Sequence, residues 1–230
     1  MSNTLIDLSH TVEDGMETYR GLPAPAICDF WSRESTAGHY ADGVTFQIGR
    51  IDMVANTGTY LDTPFHRFAD GHDLAGLPLA RCADLPGVVV RAADGGRAIG
   101  RERFAGVELA GRAVLVHTGW DRRWGTEAYF AGHPFLTAEA ADLLVAAGAA
   151  LVGIDSLNID ATDDPRRPVH STLLAAAIPI VEHMTGLGAL PDGAPAGGGF
   201  RFSAVPVKVR GMGSFPVRAF ARLETGAAAR

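Results

Sequence analysis

Residues 137–155, TAEAADLLVAAGAALVGID, place a helix directly before a buried strand. Apolar side chains recur at helical spacing after Thr137, a suitable N-cap residue, and Gly148 is positioned to end the helix. The run Leu151–Asp155 is compact and apolar, which is typical of a buried strand with a polar end that opens a loop. The stretch therefore predicts a helix packed on a sheet.

More strands are predicted on both sides of this stretch, because short apolar or alternating runs are bounded by turn residues. These strands are Leu5–Leu8, Phe46–Val54 (half-buried), Val88–Val90, Ala113–His117, Pro179–Glu182, Phe202–Val209 and Phe215–Arg222, the last of which closes the sheet. A second helix spans His170–Ala177 and stops before Pro179. Gly193–Gly199 is predicted to be a glycine–proline surface loop. Strands outnumber helices and no linker divides the chain, so we predict one mixed α/β domain.

The composition excludes several classes of protein. The chain has 230 residues, of which 47% are hydrophobic and 20% charged, so disorder is excluded for the whole. A net charge of −6 without a basic stripe argues against a nucleic-acid partner. There is no secretory signal and no apolar run of membrane-spanning length, so we expect no membrane association and a cytoplasmic location. Cys28 and Cys82 are expected to be reduced, buried thiols.

Residues 56–66, NTGTYLDTPFH, place one carboxylate and one imidazole among threonines, a glycine and a proline. With His170 and Glu182 further along, the carboxylates and imidazoles form a ligand set without thiolate: Asp62, His66, His170 and Glu182. Such a set suits zinc or manganese and leaves a position for water, whose pKa the ion would lower. The alternative is structural, because an Asp or His near a turn often caps a helix or braces a loop.

The same segment resembles the signature His-x-Gly-Thr-His-x-Asp-x-Pro-x-His of the cyclase family of metal-dependent hydrolases, which includes the kynurenine formamidases. Asp7-Leu8-Ser9 and Pro216-Val217-Arg218 resemble the opening and closing segments of that family. The resemblance implies a mixed-sheet, swivelling β/β/α-type domain over residues 1–230. It also implies hydrolysis of a non-peptide C–N bond in a small amide, cyclic amide or lactone, and a homodimer or homotetramer.

Two departures from the signature affect the predicted metal content. Asn56 and Tyr60 stand where the signature has its first two histidines. In relatives that bind two metals, those histidines serve one ion, and isatin hydrolase, a one-metal relative, uses the histidines that this chain lacks. The resemblance therefore implies that one metal position is lost. We predict one divalent ion, zinc or manganese, on the remaining four ligands.

Three functional hypotheses follow. In the first, the ion activates water. In the second, no metal binds: His66 and Glu182 transfer protons, while Tyr60 donates a hydrogen bond to an oxyanion. In the third, the chain is a non-catalytic binding relative. We expect Asn56, Tyr60 and Trp31 to contact the small-molecule substrate.

Several other residues are candidates for the surroundings of the site. Aromatic side chains in loop-like surroundings are candidates for its wall: Tyr19, Trp31, Trp120 and Trp124. Polar residues after the strand Leu151–Asp155 either approach the site or cap a helix: Asp155, Asn158 and Asp160. Arg166 and Arg167 either reach a substrate carboxylate or remain solvated. His183 is predicted to point away from the site, because it follows Glu182 directly in an extended stretch.

Overall fold

The computed structural model of the chain describes residues 4–192 and 199–224. The two α-helices in this part are α1 (Ala138–Ala146) and α2 (Pro168–Ala175). The strands are β1 (Leu5–Asp7), β2 (Ala26–Trp31), β3 (Ile48–Asp52), β4 (Tyr60–Asp62), β5 (Leu85–Arg91), β6 (Ala98–Ile99), β7 (Ala113–His117), β8 (Phe135–Leu136), β9 (Leu151–Ile154), β10 (Ile180–Glu182), β11 (Phe200–Ser203), β12 (Ser214–Pro216) and β13 (Phe220–Leu223).

Nine of the strands form one mixed sheet in the order β1-β13-β11-β5-β7-β9-β10-β4-β12. The central strands β5, β7, β9 and β10 run parallel to their neighbours within that group, and the flanking pairs are antiparallel. Parallel strands are covered on both faces, which explains their continuous apolar sequences. The prediction of one mixed α/β domain is confirmed.

The sheet curls, so that strands far apart in its order come close in space. Residues 217–219 alone connect β12, which forms one edge, to β13, which lies next to the other edge. Within this connection the Val217 amide donates to Thr59 O at 2.9 Å, and Ala219 O accepts from the Leu8 amide at 2.9 Å. The prediction of one closing strand over Phe215–Arg222 is therefore wrong, because the segment bridges both ends of the curled sheet.

The two faces of the sheet are buried in separate cores. Along β7, Val114 and Val116 face a core that contains Leu144 of α1 and Leu173 of α2. Leu115, between them, faces the other core, as expected for side chains that alternate across a strand. The helix α1 begins as predicted, with the Thr137 side chain accepting from the Ala140 amide.

Several local predictions need correction. The strand predicted at Phe46–Val54 is β3, but all its residues are exposed, because it pairs only with β2 in a two-stranded ribbon apart from the main sheet. Cys28 lies in this ribbon and is exposed, whereas Cys82 is buried, and both thiols are free. The strand predicted at Phe202–Val209 ends at Ser203. The predicted loop at 193–198 lies outside the described residues. No helix in the described part is long and apolar enough to cross a membrane.

Candidate active site

The pairing register of β4 places the signature residues opposite their partners. Tyr60 lies opposite Glu182 of β10, and Asp62 lies opposite Ser214 of β12. Because side chains two residues apart share a face of a strand, Tyr60 and Asp62 point to the same side of the sheet. All three residues of β4 are buried. The register therefore brings these polar side chains together in a buried part of the sheet.

Asp62, Ser214 and His66 form the first part of this group. The Ser214 hydroxyl donates to Asp62 Oδ1 and lies 2.9 Å from His66 Nδ1, which is itself 3.5 Å from Asp62 Oδ1. A 3₁₀ turn at Pro64–His66 returns the chain, so that the imidazole lies beside the carboxylate. A Cβ on Gly213 would lie 2.3 Å from the His66 amide nitrogen, so only glycine fits beside this turn.

The helix α2 brings in His170, and Asp160 positions it. Asp160 Oδ1 accepts from the Val169 amide at 2.7 Å, and its Oδ2 lies 3.0 Å from the His170 amide nitrogen and 2.7 Å from His170 Nδ1. The Asp160 carboxylate thus caps the helix and also orients the His170 ring. Both roles that the sequence predicted as alternatives, helix capping and approach to the site, are present. His170 Nε2 is left 3.7 Å from Asp62 Oδ2 and 3.6 Å from Glu182 Oε1.

Glu182 is fully buried and held from several sides. The Ile159 amide donates to its Oε1 at 2.6 Å, the Tyr60 hydroxyl donates to its Oε2, and Asn158 Nδ2 lies 3.4 Å from the same oxygen. The Tyr60 hydroxyl is therefore engaged with Glu182. His183 is not among the residues that line the cavity, but its ring lies 5.2 Å from the ring of Tyr60, and its Nε2 lies 2.7 Å from Leu157 O.

The buried charges shift one another's protonation. Burial opposes the charged form of His170, but the charge of Glu182 and the contacts with Asp160 and Asp62 outweigh it and raise its pKa to about 10. Burial alone would raise the pKa of Asp62, yet His170, His66 and Ser214 hold it below its usual value. Burial, then the charge of Asp62, raises the pKa of Glu182. The carboxyl groups of Asp62, Asp160 and Glu182 therefore favour positive charge at this place.

Three of the four predicted metal ligands come together. One donor atom from each of Asp62, His66 and His170 can be chosen so that all lie within 4.8 Å of one another. Asp62 Oδ2 is buried and has no hydrogen-bond partner among the described residues, so one acceptor is available to a cation. Glu182 lies beside the group, but both its oxygens already accept hydrogen bonds. The donor set of two imidazoles and a carboxylate fits zinc or manganese.

A cavity of about 270 Å³ opens onto these residues. Its lining consists of Tyr19, Leu22, Asn56, Tyr60, His66, Arg67, Asn158, Arg167, His170 and Glu182. Trp31, expected to contact substrate, does not line it, because it belongs to the exposed ribbon and packs against His39 and Phe46. Trp120 and Trp124 are also absent from the lining. Arg166 is mostly exposed and is ion-paired with Asp164.

Ser214 and Arg67 are site residues that the sequence analysis did not single out. Ser214 lies two positions before the recognised closing segment, and nothing local in the sequence connects it to Asp62. Arg67 directly follows His66, the last residue of the signature, so its position in the sequence places it near the site.

Comparison with known proteins identifies the family. The model of the family described as "Putative cyclase" matches residues 6–161, more than half of the chain. The chain belongs to this family. The cyclase-family chain is 25% identical over 224 residues to a kynurenine formamidase from Bacillus cereus, with 94% of this chain and 96% of the relative covered. A kynurenine formamidase from Geobacillus thermodenitrificans is also 25% identical over 224 residues, with 96% and 99% covered.

Solved structures share the fold of this cyclase-family chain. Isatin hydrolase A from Labrenzia aggregata superposes with a TM-score of 0.80 at 21% identity, covering 96% of this chain and 93% of its own. A protein described as a potential metal-dependent hydrolase with cyclase activity gives a TM-score of 0.78 at 23% identity, covering 97% and 99%. The overall fold of the chain is therefore shared with these solved structures.

Proposed function

We propose that this protein is a hydrolase that cleaves the C–N bond of a small amide or cyclic amide, or the ester bond of a related lactone. The observation that carries the proposal is the convergence of Asp62, His66 and His170 beside a cavity that is lined by the two histidines. Similarity to kynurenine formamidases over nearly the whole chain supports amide hydrolysis.

Asp62, His66 and His170 would hold one divalent ion, zinc or manganese. When bound, such an ion polarises a carbonyl and lowers the pKa of water. The unpartnered Asp62 Oδ2 supports this assignment, because an acceptor without a donor in a fully buried place is costly. His66 is the exposed member, so the cavity reaches the site from its side.

Glu182 is the group suited to move protons. Its pKa is raised by burial, which brings a carboxyl group closer to the neutral range in which general bases operate. The Ile159 amide and the Tyr60 hydroxyl fix its orientation, and Oε1, which accepts one hydrogen bond, keeps a second lone pair for an incoming proton. In amide hydrolysis Glu182 accepts a proton from water and passes it to the departing nitrogen.

Tyr60 occupies the place of a signature histidine and braces Glu182. Its pKa is raised well above the usual value, first by burial and then by the charges of Glu182 and Asp62, so the phenol stays protonated and donates. Asn56 lines the cavity nearby. We therefore assign Tyr60 to positioning, and Asn56 to contact with substrate.

The test is elemental analysis of protein purified without chelators or affinity metals, together with hydrolysis of formanilide followed by formate release. We expect about one divalent ion per chain, and His66→Ala removes it while the fold persists, because His66 is partly exposed. His39→Ala is the matched control, since His39 is exposed in the connection between β2 and β3 and packs against Trp31. Turnover in protein shown to contain no ion would instead assign the chemistry to His66 and Glu182 alone.

We also propose that the protein forms a homodimer or homotetramer through the ribbon of β2 and β3. The ribbon exposes a set of large apolar side chains: Ile27, Phe30, Trp31, Ile48 and Ile51. A two-stranded ribbon is marginal by itself, and an exposed apolar patch of this kind marks a protein interface. Light scattering after gel filtration should give a dimer or larger, and a monomer at micromolar concentration would contradict the proposal.

A cytoplasmic location is proposed as well, supported by the two free thiols.

A further inference from the structure

Two arginines line the cavity without a carboxylate partner. Arg67 and Arg167 both belong to the lining, and neither forms an ion pair with any residue in 4–192 or 199–224. The adjacent Arg166 behaves differently: Asp164 accepts from its Nε at 3.0 Å and from its Nη2 at 2.9 Å. The two cavity arginines therefore line the site without an ion-pair partner among the described residues.

Neutral acceptors hold both guanidinium groups in place. Arg67 donates from Nε to Ser171 Oγ at 3.1 Å and from Nη2 to Arg166 O at 2.9 Å. Arg167 donates to Ala161 O at 3.2 Å and to Thr162 O at 3.3 Å. Carbonyl and hydroxyl oxygens orient a guanidinium but do not cancel its charge, so the cations are positioned and still available.

The two side chains share one small region at the start of α2. The Ser171 hydroxyl accepts from Arg67 and donates to Arg167 O at 2.9 Å, so one residue joins both. Arg167 has a positive φ of 48°, which is uncommon for a residue with a side chain, and it directly precedes Pro168. Its Nη1 lies 3.4 Å from Asn158 Oδ1, whose Nδ2 faces Glu182. One amide side chain therefore separates the guanidinium of Arg167 from the proposed base.

The remaining donors point to an anionic ligand. Arg67 Nη1 and Arg167 Nε have no hydrogen-bond partner in the part of the chain that the structure describes. Glu182 is the one carboxylate in the lining, and its oxygens are already occupied by Tyr60 and Ile159. Guanidinium groups recognise carboxylates through paired, charge-assisted hydrogen bonds, and a cleft lined by one sign of charge concentrates the opposite sign.

We propose that Arg67 and Arg167 form a carboxylate-recognition subsite, so that the substrate is an amide carrying a carboxylate away from the bond that is cleaved. This inference rests on the proposed amide hydrolysis and specifies its substrate class. The two arginines are specificity-determining residues: they bind the end of the substrate that does not react, while the group around Asp62 faces the amide.

The test compares formanilide with 3- and 4-formamidobenzoate, which differ from it only by a ring carboxylate. For the wild type we expect kcat/KM to be about 10- to 100-fold higher for the better formamidobenzoate, the range of a charge-assisted hydrogen bond. Arg67→Gln and Arg167→Gln should each lower this ratio about tenfold or more. Arg166→Gln is the matched control and keeps the ratio, because its guanidinium is paired with Asp164.

Arg167→Lys separates loss of the hydrogen bonds to Ala161 O and Thr162 O from loss of charge, because lysine keeps the positive charge and should retain part of the preference. A second measurement needs no turnover: calorimetric binding of benzoate against the neutral benzyl alcohol. Benzoate should bind more tightly than the alcohol and weaken about tenfold or more in Arg67→Gln and Arg167→Gln.

Each outcome decides one proposal. Equal kcat/KM values for formanilide and the formamidobenzoates overturn the carboxylate subsite while amide hydrolysis stands. Benzoate binding that persists in both glutamine variants also overturns it, because the anion then binds elsewhere, such as at a metal ion. Absence of hydrolysis for every substrate overturns the proposed function, and the benzoate titration then decides the subsite separately.

Discussion

Replacing Tyr60 by phenylalanine tests whether the substituted signature position supports Glu182. The change removes one hydroxyl from a side chain that is 2% exposed and donates to a buried carboxylate. A hydrogen bond to a charged group contributes about 1.5–3 kcal/mol to stability. In the variant Glu182 Oε2 would retain only the long contact with Asn158, which replaces little of the lost hydrogen-bond free energy. We expect Tyr60→Phe to lower the free energy of unfolding by that amount.

The structure provides a matched control in Tyr129. This tyrosine is 1% exposed, and its hydroxyl has no hydrogen-bond partner among the described residues. Removing an unsatisfied buried hydroxyl is neutral or stabilising, so Tyr129→Phe should not lower the unfolding free energy. The same chemical change at equal burial therefore isolates the bond to Glu182.

Urea unfolding at pH 7 measures the free energy of unfolding of both variants, and thermal unfolding measures their Tm. In a chain of this size about 1 kcal/mol corresponds to roughly 2–4 °C in Tm, so Tyr60→Phe should melt about 3–12 °C below the wild type. Hydrolysis of formanilide should also slow, by no more than the roughly 10²- to 10⁴-fold that general acid–base catalysis contributes. Equal unfolding free energies for Tyr60→Phe and Tyr129→Phe would refute the argument that this hydroxyl braces Glu182.

Three further outcomes are expected. Asp160→Asn should lower metal affinity about 10- to 100-fold by calorimetry, because the carboxylate that orients His170 is lost; unchanged affinity would remove Asp160 from the site. Asn56→His combined with Tyr60→His should bind a second divalent ion by elemental analysis, and a count that stays at one would show that more than these ligands is missing. His183 is neutral when folded, since burial lowers its pKa from 6.5 to about 3, so its contribution to stability is present above pH 6.5 and is lost as pH falls toward 3. His183→Gln keeps a donor for Leu157 O and should show less loss of unfolding free energy between pH 7 and pH 5 than the wild type; parallel curves would contradict this.

Local patterns were sufficient for the elements with a strong period or cap. Thr137 and Gly148 bound α1 as predicted, and Leu151–Ile154 is the strand that follows. These features depend on side chains within a few residues of one another, so they are visible in the sequence. The same holds for the chemistry of the signature segment, whose carboxylate and imidazole lie four residues apart.

The exposed ribbon shows where local patterns fail. The alternation in Phe46–Val54 correctly indicated a strand. An alternating pattern distinguishes the two faces of a strand, but it does not show which other elements cover those faces. In the structure β3 pairs only with β2, so every residue of both strands is exposed. Trp31 lies with them and not in the cavity.

By itself the sequence determined the α/β class and the family, and it predicted four metal ligands, of which three come together in the structure. Only the tertiary structure decided which of them meet. Tyr60 finds Glu182, and Asp62 finds Ser214, through strand registers that join segments more than 120 residues apart. Those registers belong to a sheet whose two faces are buried in separate cores. No local period records that outcome, because the free energy that selects a distant partner belongs to the whole fold.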